Sequence, residues 1–217
     1  MFFEEHAKLL SDFARVSQAA GARADYVQGG GGNTSVKLPG GLMAIKASGF
    51  CLSDIRPDKA YAVLDGADLR NFYLTTEPSA LADVEKEGSA RAKADVRHID
   101  GLADLRPSVE AGFHSILKTF VVHTHSVYAN LAACSTACRP IAAQAFAGAG
   151  YTWGWVPYTD PGANLTFAIR DELRRVEKET GKIPSVILMQ NHGIIVHDDD
   201  PDTALAIHTD ANERLAR

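Results

Sequence analysis

Apolar positions along the chain follow two periods, and the switches between them lay out the elements. Phe2, Phe3, Leu9, Leu10, Phe13 and Val16 recur at helical spacing and Gly21 supplies a stop, so an amphipathic helix opens the chain. Short apolar runs at 36–38 and 42–45, joined by Pro39-Gly-Gly41 and entered through the glycine-rich stretch 29–35, predict a hairpin. Residues 64–105 are more polar, carry mixed charge and contain Pro78, Gly88 and Gly101, which predicts an excursion with short helices of its own and no second core. Pro107 and Ser108 signal a helix over 109–117, with Val109, Phe113, Ile116 and Leu117 inward and Glu110 and His114, four apart, on another face. A strand over 120–125, a helix over 128–138, a Gly- and Ala-rich stretch and Trp153-Gly-Trp-Val-Pro157 follow. A helix then runs from Gly162 to about Thr180, closed by Gly181; strands at 186–189 and 194–196 and a last helix from Asp200-Pro201 to Arg217 complete the chain. Helices interleaved with adjacent hairpins predict an α/β fold, a three-layer α/β/α arrangement around a central mixed, mostly antiparallel sheet.

Composition narrows the class without changing that layout. At 217 residues, 46% apolar and 23% charged, the chain matches one soluble globular domain spanning 1–217. Its net charge of −5 offers no general attraction for nucleic acid or an anionic membrane. Cys51, Cys134 and Cys138 are too few and odd in number for a disulfide framework, so a reducing cytoplasm is the expected location. Cys134 and Cys138, four apart on the helix expected there, are read as small buried residues first and as metal ligands only second. The N-terminus lacks a basic region followed by an apolar core, and no run of about 18 apolar residues occurs, so neither secretion nor membrane spanning is expected.

Chemistry concentrates in three histidines. His123 and His125 lie two apart in Phe120-Val-Val-His-Thr-His-Ser126, so on a strand both imidazoles face the same side. His192, in Asn191-His-Gly193, follows the apolar run 186–189 and stands where a turn can deliver a third nitrogen. Three protein ligands with one coordination position open describe a catalytic zinc, whereas structural zinc sites are closed and cysteine-rich. Spacing alone leaves hydrogen-bonded core histidines as the alternative. His6, His98, His114, His197 and His208 have no partner at ligand spacing and are expected to be mostly structural or exposed.

Five blocks then fall in an order that resembles the class II aldolase/adducin family: Gly32-Asn-Thr-Ser35, Ala47-Ser-Gly49, Pro107-Ser-Val-Glu110, Val122-His-Thr-His-Ser126 and Gln190-Asn-His-Gly193. Val156-Pro157 and Pro161-Gly162 occupy the interval before the last block. The resemblance is to the zinc-dependent aldolases of fuculose and rhamnulose phosphates. It implies that His123, His125 and His192 bind Zn²⁺, with Mn²⁺ or Co²⁺ as alternatives, and that Glu110 is the catalytic acid/base. It further implies reversible retro-aldol cleavage of a ketose phosphate to dihydroxyacetone phosphate and an aldehyde. Such chemistry requires an enediolate, whose charge a metal stabilises without a lysine Schiff base. Read without the resemblance, Glu110 is a solvated residue of a first helical turn.

The same resemblance places Asn33, Ser48, Gly49 and Ser108 around a substrate phosphate, held by hydroxyls and backbone amides. Val109 departs from it, standing where many members have a second hydroxyl. Lys46 either compensates as a point charge or is an ordinary solvent-facing strand residue. An insertion at about 65–105 departs from compact members and is similar to the aldolase module of two-part proteins that add a dehydrogenase domain; with a last helix that has no stop signal, this suggests either a truncated chain or a stand-alone relative of that module. Family resemblance also implies a homo-oligomer, commonly a tetramer with active sites at subunit boundaries, where an aromatic from a neighbour assists as proton donor; Tyr128, Tyr151, Tyr158 and Trp153 are the candidates, with ordinary core packing as the alternative role for most of them. Two alternatives stay open: a sugar-phosphate epimerase or dehydratase of the same superfamily, and a non-catalytic adducin-like binding module. Residues 134–156 lack the Thr-His-Ala-Asp pattern associated with the epimerases, and a binding module has no need of three histidines plus Glu110.

Overall fold

The computed structural model describes all 217 residues. Two helices open it, α1 (Phe2–Glu5) and α2 (Ala7–Gly21), then the hairpin β1 (Asn33–Lys37) and β2 (Leu42–Lys46), and β3 (Tyr61–Asp65). The next segment carries α3 (Gly66–Thr75), α4 (Val84–Ala94) and β4 (Val96–Arg97), followed by α5 (Ala111–Ile116) and β5 (Phe120–Thr124). After α6 (Val127–Ala133) and α7 (Cys138–Ala145) come β6 (Trp153–Val156), α8 (Ala163–Thr180), β7 (Val186–Met189), β8 (Gly193–Asp198) and α9 (Pro201–Leu215). The strands form one sheet in the order β4-β3-β2-β1-β5-β8-β7-β6, antiparallel throughout except for the parallel pair β6 and β7.

Alternation along the strands explains the three layers. Met43 and Ile45 on β2, Val121 on β5 and Ile187 and Met189 on β7 pack with α3, α5 and α8 on one face. Val36, Ala44, Phe120 and Val122 face α2 and α9 on the other, while Val186, Leu188, Ile194 and Val196 meet α6, α7 and α9. The expected sheet and layers are therefore present.

Several boundaries differ from expectation, each for a local reason. The opening helix breaks at His6, whose buried ring turns in against Phe2 with centroids 4.8 Å apart. The helix expected over 128–138 is two helices, because the Ser135 hydroxyl accepts the Ala137 amide (3.0 Å) and competes with helical pairing. Cys134 is consequently exposed, and only Cys138 is a buried core residue. Strand β3 lies partly inside the stretch read as a polar excursion; Tyr61, Ala62, Val63 and Leu64 are all buried, the unalternating pattern of a strand covered on both faces. That excursion is woven into the domain: Leu69 and Tyr73 enter the core, and the Glu85 carboxylate accepts the first amides of α8, Ala163 (2.9 Å) and Asn164 (2.8 Å). Val109 does not face inward. It is 68% exposed, because α5 begins two residues later than expected.

Two buried histidines away from any cluster make stability sensitive to acid. Burial pushes His197 down to about 3, reinforced by Lys37 and Lys118, and burial pushes His208 down to about 4. Their folded values lie below the unfolded one, so the unfolded chain binds more protons between them and stability falls as pH drops. Urea denaturation should accordingly show the unfolding free energy falling by several kcal/mol between about pH 6.5 and about pH 4. A flat profile down to pH 4 would mean that these rings are not buried neutral.

Candidate active site

The site forms where β5 ends beside the turn from β7 to β8. His123 continues the face of Val121 toward α5, and Thr124 points the opposite way, its hydroxyl 2.8 Å from His208 Nε2 on α9. His125 lies one residue beyond the strand, yet its ring swings to the same side, with His123 Nε2 and His125 Nε2 3.1 Å apart. His192 arrives from the turn after Asn191, which adopts a left-handed backbone (φ 54°) that asparagine tolerates better than most residues. Two glycines permit the approach. A Cβ on Gly32 would lie 2.6 Å from the His123 carbonyl oxygen, and one on Gly193 would lie 2.4 Å from that of Thr124.

One ring nitrogen from each of His123, His125 and His192 lies within 4.8 Å of the other two. Burial pushes the His123 pKa down to about 3, and burial with His192 nearby lowers that of His125, so both rings are neutral. His123 Nδ1 lies 3.0 Å from the Ile194 carbonyl, which takes the ring proton there and leaves the Nε2 lone pair facing His125. Three ring nitrogens converging at that distance form a donor set that one cation can share. Nitrogens bound to one tetrahedral zinc lie about 3.3 Å apart, and a backbone carbonyl on the outer nitrogen is the usual support of a ligating histidine. The donor set fits a divalent metal with an open position.

Glu110 stands against this cluster. Its Oε1 is 3.0 Å from His192 Nε2 and its Oε2 3.6 Å from His123 Nε2, and the residue is only 5% exposed. The late start of α5 puts it there: Ser108 accepts the Ala111 amide on its carbonyl (3.1 Å) and the Glu110 amide on its hydroxyl (3.3 Å), a turn that directs Glu110 inward and Val109 out. The solvated first-turn alternative is thus not what the fold adopts. Burial acts to raise the carboxyl pKa, but contact with the His192 ring and the hydrogen bond from the Asn33 amide outweigh it and hold the group below the usual carboxylate range.

Of the residues expected around a phosphate, Asn33 and Ser108 belong to the Glu110 cluster: Asn33 Nδ2 donates to Glu110 Oε2 (2.5 Å) and to Ser108 Oγ (3.1 Å). Ser48 and Gly49 sit on the turn after β2, Gly49 exposed with φ 90°. Lys46 is not solvent-facing. It is 4% exposed, with its ammonium on the carbonyls of Gly30 (3.2 Å) and Phe50 (2.6 Å), where it braces the glycine-rich loop. Arg106 is a residue that motif spacing alone does not single out: its guanidinium donates to Ser48 Oγ (3.0 Å), its carbonyl accepts the Ser48 amide (2.9 Å), and no carboxylate pairs with it. Its only sequence signal is a cation directly before Pro107-Ser108. Among the aromatics, Tyr151 donates to Asp210 (2.9 Å) and Trp153 packs on Phe146, both partly buried against the core under α6, α7 and α9, and Tyr128 is half-buried on α6. Tyr158 is exposed and its amide donates to Gln190 Oε1 (3.1 Å), beside the His192 turn.

Residues 11–217 match the profile of the class II aldolase and adducin N-terminal domain. The chain belongs to this family. No curated protein matches it by sequence. Among solved structures it is similar to the N-terminal class II aldolase domain of a conserved protein from Thermoplasma acidophilum, with a TM-score of 0.76 at 20% identity over 94% of this chain and 91% of that one. It is also similar to L-fuculose-1-phosphate aldolase from Thermus thermophilus (TM-score 0.57, 14% identity, 97% and 93% covered). YgbL from Klebsiella pneumoniae, assigned in outline as an aldolase, epimerase or decarboxylase, matches with a TM-score of 0.65 at 18% identity over 97% and 88%. At these identities the likeness establishes the class II aldolase fold. No helix is long and apolar enough to cross a membrane.

Proposed function

We propose that this class II aldolase domain is a divalent-metal lyase that cleaves a ketose 1-phosphate of the fuculose or rhamnulose type to dihydroxyacetone phosphate and an aldehyde, reversibly. The observation that carries the reading is the convergence of three imidazole nitrogens with a carboxylate oxygen 3.0 Å from His192 Nε2. His123, His125 and His192 would hold Zn²⁺, or Mn²⁺ or Co²⁺ in its place. When bound there, the cation supplies stabilisation for the negative charge that develops as the carbon–carbon bond opens.

The chain's own residues do the rest. Glu110 is held as a carboxylate, the form that removes a proton from the reacting carbon during condensation and returns it during cleavage. Asn33 steadies that carboxylate through its amide. Ser48, the Gly49 amide, Ser108 and the unpaired Arg106 guanidinium present donors for the phosphate, with Arg106 taking the place of the hydroxyl lost at Val109. Lys46 adds positive charge from behind the glycine-rich loop.

Assaying ketose 1-phosphates for aldehyde and dihydroxyacetone phosphate tests the reaction; aldehyde release supports it, and conversion to an epimer or a dehydrated product would place the chain with other members of the superfamily. Arg106→Gln should raise KM for the phosphorylated substrate by about 10- to 100-fold with little change in kcat, as loss of one charge-assisted hydrogen bond requires. An unchanged KM would remove Arg106 from the phosphate site.

A further inference from the structure

His114 is fully buried, stacked on Phe113 with centroids 4.7 Å apart, and touches neither the metal cluster nor the phosphate donors directly. Both of its ring nitrogens are engaged. Nδ1 lies 2.7 Å from Ser35 Oγ, and Nε2 meets Asn33 Oδ1. Burial, with Lys37 nearby, holds the ring well below its ordinary pKa, so it is neutral and carries a single proton. Where that proton sits decides the rest of the chain of contacts.

An asparagine amide has a donor end and an acceptor end of nearly identical shape, so its own packing cannot choose between them. Asn33 must present its NH₂ to Glu110 Oε2, because the opposite orientation would set a carbonyl against a buried carboxylate. Its carbonyl then faces His114 Nε2, which must be the protonated nitrogen. His114 Nδ1 is left as an acceptor and draws the proton of the Ser35 hydroxyl, whose one hydrogen bond this is. The bonds run in one direction, Ser35 to His114 to Asn33 to Glu110, and reversing any one forces two acceptors together. β1 supplies Ser35 and Asn33 on one face, and α5 supplies His114 four residues after Glu110, so the helical period and the strand period meet at this ring.

We infer that His114 is a positioning residue: as its Nε2–H tautomer it anchors the Asn33 carbonyl, which holds the amide's NH₂ end in place on Glu110 and so orients the catalytic carboxylate. This rests on the acid/base role of Glu110 for its consequence in turnover, but not for the tautomer itself. The support a carboxylate receives from such outer partners commonly accounts for about 10- to 100-fold in activity.

Two measurements test it. Long-range ¹⁵N–¹H correlation spectra of protein labelled with ¹⁵N-histidine, with the His114 signals identified by their loss in His114→Gln, should show a protonated Nε2 and a bare Nδ1 at neutral pH. The opposite tautomer overturns the inference whether or not any ketose phosphate is cleaved. In steady-state kinetics His114→Phe, which keeps the stacked ring, should lower kcat by about 10- to 100-fold with KM nearly unchanged. His114→Gln, whose amide can donate from the position of Nε2, should recover most of that loss. Wild-type kcat in a folded His114→Phe protein, or equal loss in both variants, would reduce His114 to a packing residue. If His114→Phe does not fold, the spectrum of the unmodified protein still decides.

Discussion

Glu110→Gln is expected to lower kcat for ketose-phosphate cleavage by about 10²- to 10⁴-fold while leaving bound metal and fold intact. The substitution preserves shape and keeps an oxygen that can accept from Asn33 Nδ2, now 2.5 Å from Glu110 Oε2. What it removes is the capacity to take and return a proton, because an amide oxygen accepts a hydrogen bond but does not serve as a base near neutral pH. Steady-state kinetics beside metal analysis of the same sample separates the two effects. Full activity in the variant would show Glu110 wrongly assigned, and loss of metal together with activity would make it chiefly a ligand.

His123→Ala should abolish both metal retention and turnover. His123 is fully buried, its outer nitrogen is fixed on the Ile194 carbonyl, and its inner nitrogen lies close to both His125 and Glu110. Loss of an outer partner alone typically weakens metal binding by about 10- to 100-fold, so loss of a ligand should exceed that and leave less than stoichiometric metal after dialysis. Titration with Zn²⁺ followed by competition with a chelator measures the difference. A variant that binds metal as tightly as the unmodified protein would exclude His123 from the shell.

The contrast between what could be read from the chain and what could not is physical. Helix α8, β7, β8 and α9 were legible because period, a glycine stop at Gly181 and a proline start at Pro201 agree. β3 was hidden because a strand buried on both faces loses the alternation that marks strands, and β6, the parallel partner of β7, was hidden because it is short and aromatic. In the site, the histidines were legible because ligand spacing is a local property of strand and turn. Asn33 and Ser108 were placed by motif, but their actual engagement with Glu110 depends on a helix that starts two residues late, which no local signal announced. Arg106 was missed because its partner Ser48 lies 58 residues away and only the pairing of Ala47 with Pro107 brings the two segments together. His114, read from sequence as one of several histidines without a partner, gains its meaning from Ser35 and Asn33 on a strand far earlier in the chain.

The most direct test of a metal-dependent aldolase site is the rate of aldehyde release from a ketose 1-phosphate by protein stripped with a chelator, measured before and after Zn²⁺ is restored. The stripped protein should remain folded and lose nearly all activity, and about one equivalent of Zn²⁺ per chain should bring it back. Undiminished cleavage by the stripped protein, or no cleavage after stoichiometric metal is bound, would contradict the assignment.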